Sequence, residues 1–329
     1  METNVQPAAA AAWREEFRTF LRKYGTVLGA AVIFAFFAAQ VPNFFTTTNI
    51  MLLLRQMSML TIVSLGFTFV MAAGGFDMSV GMATGLVNMV LAGLIVSTGN
   101  VFLAIAAALG TGLAIGLVNG TLVAYIGLPD FIGTFAIGSV AFGLKMLSTK
   151  GNPIFFSAPP AFNAIGQGYL GPVPVPVVIM FAVLGVAVFV LNRTTLGRRI
   201  SAIGGNPVAC AYAGINVRRY RLLTFLISGL SVALAAVILT SRLGSGQPLA
   251  GEDFLLDAIS AVFLSTTMFG EGEPTALGAF VGAFIISMLS NGLTMLNVPY
   301  YFQYITKGGV VILAVMLSVL MGQKLRVRF

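Results

Sequence analysis

Residues 101–127 read VFLAIAAALGTGLAIGLVNGTLVAYIG, without one charged side chain. An apolar run of about 20 residues crosses a bilayer as a helix. Lipid, not water, is therefore the solvent this stretch is built for. Glycine recurs along it. Lipid tails give helices no hydrophobic reason to associate, and small residues let their backbones touch. The stretch is predicted to be a membrane span packed closely against others.

The rest of the chain has the same character. Of 329 residues, 58% are hydrophobic and 9% charged, with 38 glycines, and the mean hydropathy is +0.97. A soluble domain carries about a quarter charged residues. The expected fold class is an all-α polytopic membrane helix bundle of about ten transmembrane helices. The apolar runs fall near 25–41, 52–73, 79–97, 101–127, 130–147, 173–191, 222–241, 254–269, 274–296 and 303–321. The expected organisation is an N-terminal segment 1–24, a transmembrane domain 25–321 with a polar loop 192–221, and a tail 322–329. Glu15 and Glu16 interrupt the basic N-terminal stretch, so no signal peptide is expected.

Charge orients the bundle. The net charge is +8. Arg14, Arg18, Arg22 and Lys23 precede the first run; Arg193, Arg198, Arg199, Arg218, Arg219 and Arg221 lie in the 192–221 loop; Lys324, Arg326 and Arg328 close the chain. Ten spans put all three blocks on one side, leaving Arg55, Lys145, Lys150, Arg242 and Lys307 at the opposite ends of spans. Basic residues stay cytoplasmic, so both termini are expected in the cytoplasm. The same arrangement explains the charge without nucleic acid.

Several chemistries are excluded. With no histidine and one cysteine, Cys210, the chain has neither an intrachain disulfide nor a Cys/His zinc site. No GxxxxGK[ST] phosphate loop occurs, so ATP must be bound by another chain. No cofactor or metal is expected on this one. A proton-coupled carrier usually needs an ionisable group deep in the bundle, and Asp257 alone is expected inside a span. Sodium coupling stays open, since backbone carbonyls can bind sodium.

The polar interruptions hold the candidate functional residues. In GGFDMSVG (74–81), Gly74 and Gly75 let the chain reverse, and Asp77 or Ser79 can cap the following helix. Two readings stand: a cap at the membrane interface, or a broken-helix element beside a translocation path. Carrying Asp77 to mid-bilayer costs on the order of 2.5–3.5 kcal/mol, which favours the interface. Loop 148–172, rich in Pro, Gly and aromatics, is expected to cover the outer mouth. Asn119-Gly120 before Pro129 and Asn291-Gly292 before Pro299 form a weak echo, five spans apart, as in inverted repeats. Asn88, Asn119, Thr134, Asn291 and Gln303 are candidate path residues. Hydrogen bonding between helices is the plainer role for all five.

In GGNPVACAYAGINVRR (204–219), Asn206 suits an N-cap, Pro207 the first helical position and Gly214 a left-handed stop. The short helix between them carries Ala209, Cys210 and Tyr212, with Tyr212 as the aromatic on its exposed side. Too short to be stable alone in water, it either lies on lipid headgroups or docks in a groove on a partner.

Five blocks in order carry a resemblance over about residues 45–320. They are GGFDMSVG, PDFIGTFAIGSVAFGL (129–144), TTLGRRISAIGGNPVACAYAGINVRR (194–219), GQPLAGEDFLLDAISAV (246–262) and SNGLTMLNV (290–298). Together they resemble the permease subunits of bacterial ABC importers for monosaccharides, the ribose-type group. The resemblance implies a multi-pass protein of the bacterial inner membrane. It would work with a second permease copy, identical or not, a pair of ABC ATPase subunits holding ATP and Mg, and a periplasmic sugar-binding protein. The 207–213 helix becomes the coupling helix that docks on the ATPase, and Gly74 to Ser79 become candidates for gating. The expected cargo is a monosaccharide or related polyhydroxylated solute; autoinducer-2, a branched-chain amino acid, or an ion-coupled carrier are the alternatives. The chain departs from the family at Ser265-Thr266-Thr267, at Gly270-Glu271-Gly272-Glu273, and at Phe142, where the family often carries Arg.

Overall fold

The computed structural model describes residue 29, residues 31–268 and residues 272–320. The basic segment 1–24, the tail 322–329, and Gly270 and Glu271 lie outside the described residues. Within the described residues each of the ten expected runs overlaps a helix. These are α1 (Ala31–Gln40) and α2 (Thr47–Ala72), α3 (Val80–Thr98), α4 (Val101–Thr121), α5 (Asp130–Thr149), α7 (Val175–Arg193), α10 (Val217–Leu243), α11 (Phe254–Met268), α12 (Ala276–Met295) and α13 (Tyr300–Leu320). A single π turn, Leu122–Ile126, extends α4. Between the long helices lie three short ones: α6 (Pro160–Gln167), α8 (Thr195–Gly205) and α9 (Pro207–Tyr212).

Among the described residues seven helices are long and apolar enough to cross a membrane, and they divide by burial. In α2, α10 and α12, 67% of the apolar window is buried, and in α3 61%; in α4, α5 and α7 the share is 28%. The first four therefore form the centre, with the other three around them. Helices α1 and α11 are apolar but shorter.

Glycine sets the closest approaches. On α4 a Cβ at Gly112 would collide with the Gly229 carbonyl of α10, and one at Gly229 with the Gly112 carbonyl. Gly116 lies likewise on the Phe225 carbonyl. The stretch expected to pack closely does so through backbone contact, the use lipid-embedded helices make of small residues.

Loop 148–172 is more ordered than its composition suggests. Strand β1 (Ile154–Phe155) pairs antiparallel with β4 (Ser245–Gly246), and β2 (Tyr169–Leu170) with β3 (Val173–Pro174). Helix α6 is fixed to the end of α10: Ser241 Oγ donates to Phe162 O at 2.6 Å and accepts from Gly166 N at 2.8 Å. One end of the bundle carries these elements. The other carries the α2–α3 turn, the α4–α5 turn and α8–α9.

Candidate functional site: two buried helix heads and a basic loop

Helix α3 begins inside the bundle. After α2 the chain reverses through Gly74, at φ 75°, a left-handed conformation that glycine adopts freely. It then climbs α5 in extended form. Phe76 N donates to Asp130 Oδ2 at 3.1 Å and Met78 N to Thr134 Oγ1 at 2.9 Å. A Cβ on Gly138 would lie 3.2 Å from Ser79 Cα. Asp130, Thr134 and Gly138 mark successive turns of α5, so the segment rises about 12 Å before α3 starts. Gly75 makes this possible, because a Cβ there would come 2.7 Å from Asp130 Oδ2.

Asp77 is 2% exposed. It accepts from Ser79 Oγ at 2.6 Å and Ser79 N at 3.0 Å, and from Ser228 Oγ on α10 at 2.8 Å. Asn119 Nδ2 donates to Ser79 Oγ at 2.8 Å and reaches Asp77 Oδ1 at 3.5 Å. Ser79 occupies the N-cap position without a side-chain cap bond, and Asp77, which accepts from Ser79 N at the head of α3, is buried among α3, α4 and α10 rather than exposed at a helix end. Hydrogen bonds to a charged group contribute roughly 1.5–3 kcal/mol each. Two of them offset the insertion cost of about 2.5–3.5 kcal/mol that favoured the interface. Beside them Arg221 holds both carboxylate oxygens of Asp130 at 2.7 Å.

Helix α11 also begins inside, from the opposite end. The chain leaving β4 runs down α3 as an arm. Gly246 lies beside Ala92, the Pro248 carbonyl beside Gly85, and the Glu252 carbonyl beside Gly81. Gly81 to Ala92 spans 11 residues of helix, about 16 Å. Non-helical backbone at this depth is tolerated only where protein or a water-filled cavity surrounds it. Here Gln247 N donates to Asn88 Oδ1 at 2.7 Å, and the glycines of α3 make the groove. The heads of α3 and α11 therefore meet near Gly81 and Glu252.

Charged side chains gather at this meeting. Lys145 of α5, 0% exposed, pairs with Glu252. Its Nζ lies 4.8 Å from the centre of the Phe142 ring, so a cation stands one turn beyond the position where the family often has Arg. Tyr304 of α13 donates to Asp253. Lys307 of α13 pairs with Asp257 at 2.8 Å. Lys145, one turn from the end of α5, and Lys307, two turns into α13, are both buried. Their partners are 107 and 50 residues away in sequence, a separation that no local pattern reveals.

The 192–221 loop matches its expected local chemistry around α9. Asn206 Oδ1 accepts from Val208 N and Ala209 N at 3.1 and 3.0 Å, with Pro207 as the first helical residue of α9. Gly214, at φ 78°, ends the helix. Gly214 N donates to Ala211 O and Ile215 N to Cys210 O, the paired bonds of a left-handed helix stop. Tyr212 is 90% exposed, whereas Cys210 turns inward at 8%. The last turn of α8 rests on the α2–α3 reversal, where a Cβ at Gly204 would collide with the Ala72 carbonyl. A cavity of about 930 Å³ opens at this junction, walled by Gly74, Phe76, Asp130, Gly204, Pro207 and Arg221 among others.

The five candidate path residues are not in one place. Asn88 donates to Thr240 Oγ1 at 2.7 Å and receives the arm. Thr134 and Asn119 hold the 76–79 segment. Asn291 and Asn49 exchange hydrogen bonds of 2.9 and 3.1 Å between α12 and α2. Gln303 donates to Val298 O at 3.0 Å in the α12–α13 turn. The Oδ1 atom of Asn119 is buried with no hydrogen-bond partner among the described residues. Of the departing residues, Ser265 binds the approach to α12, accepting from Thr275 N at 2.9 Å. Among the described residues no group of three His, Cys, Asp or Glu side chains is placed to hold a metal.

The chain matches a family described as the branched-chain amino acid transport system / permease component over residues 49–320. The ribose import permease protein RbsC of Bacillus subtilis is 38% identical, covering 93% of this chain and 95% of that protein. RbsC of Haemophilus influenzae is 36% identical over the same shares. The D-allose transport system permease protein AlsC of Escherichia coli is 34% identical over 98% of this chain and 99% of its own length. No solved structure matches significantly. With a family model covering most of its length and relatives aligned almost end to end, this multi-pass helical chain belongs to the permease-component family of ABC importers.

Proposed function

We propose that the chain is the transmembrane permease of an ATP-driven importer that carries a monosaccharide or related polyhydroxylated solute into the cytoplasm. The observation that carries this reading is near-complete alignment with permeases named for ribose and D-allose. Ten helices cross the membrane, with α1, α11 and α13 joining the seven longer ones. The end bearing α8 and α9 faces the cytoplasm, because Arg193, Arg198, Arg199, Arg218 and Arg219 cluster there.

The protein's part is mechanical. A pair of ATPase subunits binds ATP and Mg, and Tyr212 with its small neighbours on α9 enters a groove on one of them. Closure of that pair pushes α9 and α8. Because Gly204 lies on the α2–α3 reversal, the push reaches Gly74 to Ser79 and the head of α3. A second permease copy completes the path, and a periplasmic sugar-binding protein delivers the solute. Bistable packing of this kind turns a partner's nucleotide state into a conformational change.

Reconstitution tests the reading. Proteoliposomes holding the permease, its ATPase and its binding protein should accumulate D-ribose, D-allose or another monosaccharide only with ATP. Accumulation of leucine instead would move the chain to amino-acid transport. Uptake that survives without ATP and collapses with an uncoupler would make it an ion-coupled carrier.

A further inference from the structure

The arm from Gly246 to Asp253 is the least supported backbone at the centre of the bundle. Its hydrogen bonds are local turns: Ala250 N to Gln247 O, Glu252 N to Leu249 O, and Phe254 N to Gly251 O. It leaves α10 through Gly244, at φ 63°, and reaches α11 through Gly251, at φ 90°. At the β4 end it is fixed by pairing with β1 and by Asn88. At the deep end it is fixed by side chains alone: neighbouring carboxylates reach opposite ways, Glu252 to Lys145 on α5 and Asp253 to Tyr304 on α13.

The two partners of the Lys145–Glu252 pair differ in access. Lys145 is sealed at 0% exposure, while the Glu252 side chain is 29% exposed. Gly85 leaves room for the ammonium, since a Cβ there would come 2.6 Å from Nζ. If Glu252 withdraws, Lys145 is left buried against the Phe142 ring without its carboxylate. A lone buried charge is far less stable than a buried pair. The structure holds the pair closed, and an open arm is tenable only with water admitted to Lys145. Opening the pair and hydrating the bundle's centre are one event.

We propose that the Lys145–Glu252 pair is a latch, a positioning element that holds the arm closed on α3 and α5 and opens in the part of the transport cycle when solute passes. The inference rests on the importer reading. A complex that carries no solute with ATP fails that reading first; ATP-driven uptake with an unmoved arm fails the latch alone.

Two measurements on the complete reconstituted complex decide it. Glu252→Gln leaves the buried Lys145 charge unpaired while the arm is closed, so ATP-independent solute leak from loaded liposomes should rise roughly tenfold. Lys145→Met with Glu252→Gln strands neither charge and should bring the leak back toward the parental level. Leak at the parental level for Glu252→Gln in a normally assembled complex overturns the proposal. The second measurement leaves the latch intact. Spin labels at Leu249→Cys on the arm and Leu147→Cys on α5, both exposed, are placed in a Cys210→Ser background. Their separation should shift between the nucleotide-free and vanadate-trapped complexes. Superimposable distance distributions overturn the proposal even if the first variant fails to fold.

Discussion

Gly81, in the first turn of α3, lies against the backbone carbonyl of Glu252, just before α11: a Cβ at 81 would come within 2.7 Å of it. Two helix heads that start from opposite ends of the bundle meet at this contact. Gly81→Val should therefore separate them. Overpacking of this kind costs about 1–3 kcal/mol, and uptake should fall to near background. Gly93→Ala on the same helix is the control, since its nearest neighbour would be 3.8 Å away. It should leave transport unchanged and stabilise by about 0.5–1 kcal/mol. Thermal unfolding in detergent, read beside uptake, separates the two.

Asp77 ties α3 to α10 through Ser228. Asp77→Ala leaves that hydroxyl and the Ser79 Oγ and N groups without their acceptor, at a cost of about 1–3 kcal/mol. Asp77→Asn keeps the shape and one acceptor oxygen, so it should lose less. Equal melting temperatures for the two variants would show that the network does not hold the head of α3.

Gly214→Val probes the stop of α9. A Cβ there meets nothing within 4 Å, so the penalty is purely conformational, about 1–2 kcal/mol for a left-handed residue. The bundle should stay folded while ATP hydrolysis continues without uptake. Gly214→Asn, which tolerates this conformation, should retain most coupling. Full uptake in the valine variant would remove α9 from the coupling role.

Thiol labelling tests the exposed face of α9. Cys210 turns inward and should react slowly with an impermeant maleimide. Tyr212→Cys in a Cys210→Ser background should react quickly in inside-out vesicles only, and an added ATPase should protect it. Labelling from the outside would reverse the proposed orientation, and labelling unaffected by the ATPase would remove the docking role.

The spans were legible because lipid demands long apolar runs, as in 101–127. The local chemistry of α9 was equally legible: Asn206, Pro207 and Gly214 sit within nine residues, and capping and left-handed stops are decided by neighbours. Close packing was foreshadowed by the glycines of α4, though not their partners on α10.

Depth was not legible. Gly74 to Ser79 read equally as an interfacial cap or a broken-helix element, and Gly246 to Asp253 carried no sign of depth, because polar and glycine-rich segments look alike at an interface or inside a bundle. Only the assembled helices place them inside, by supplying Asp130, Thr134 and Ser228 to one segment and Asn88 and Lys145 to the other. Sequence by itself determined that this chain lives in lipid as a many-helix bundle with one capped helix in a basic loop, since those properties follow from composition and local pattern. Tertiary structure alone decided that two helices begin inside the bundle and that Lys145 and Lys307 are buried, because burying charge and open backbone depends on partners that the chain brings from far away.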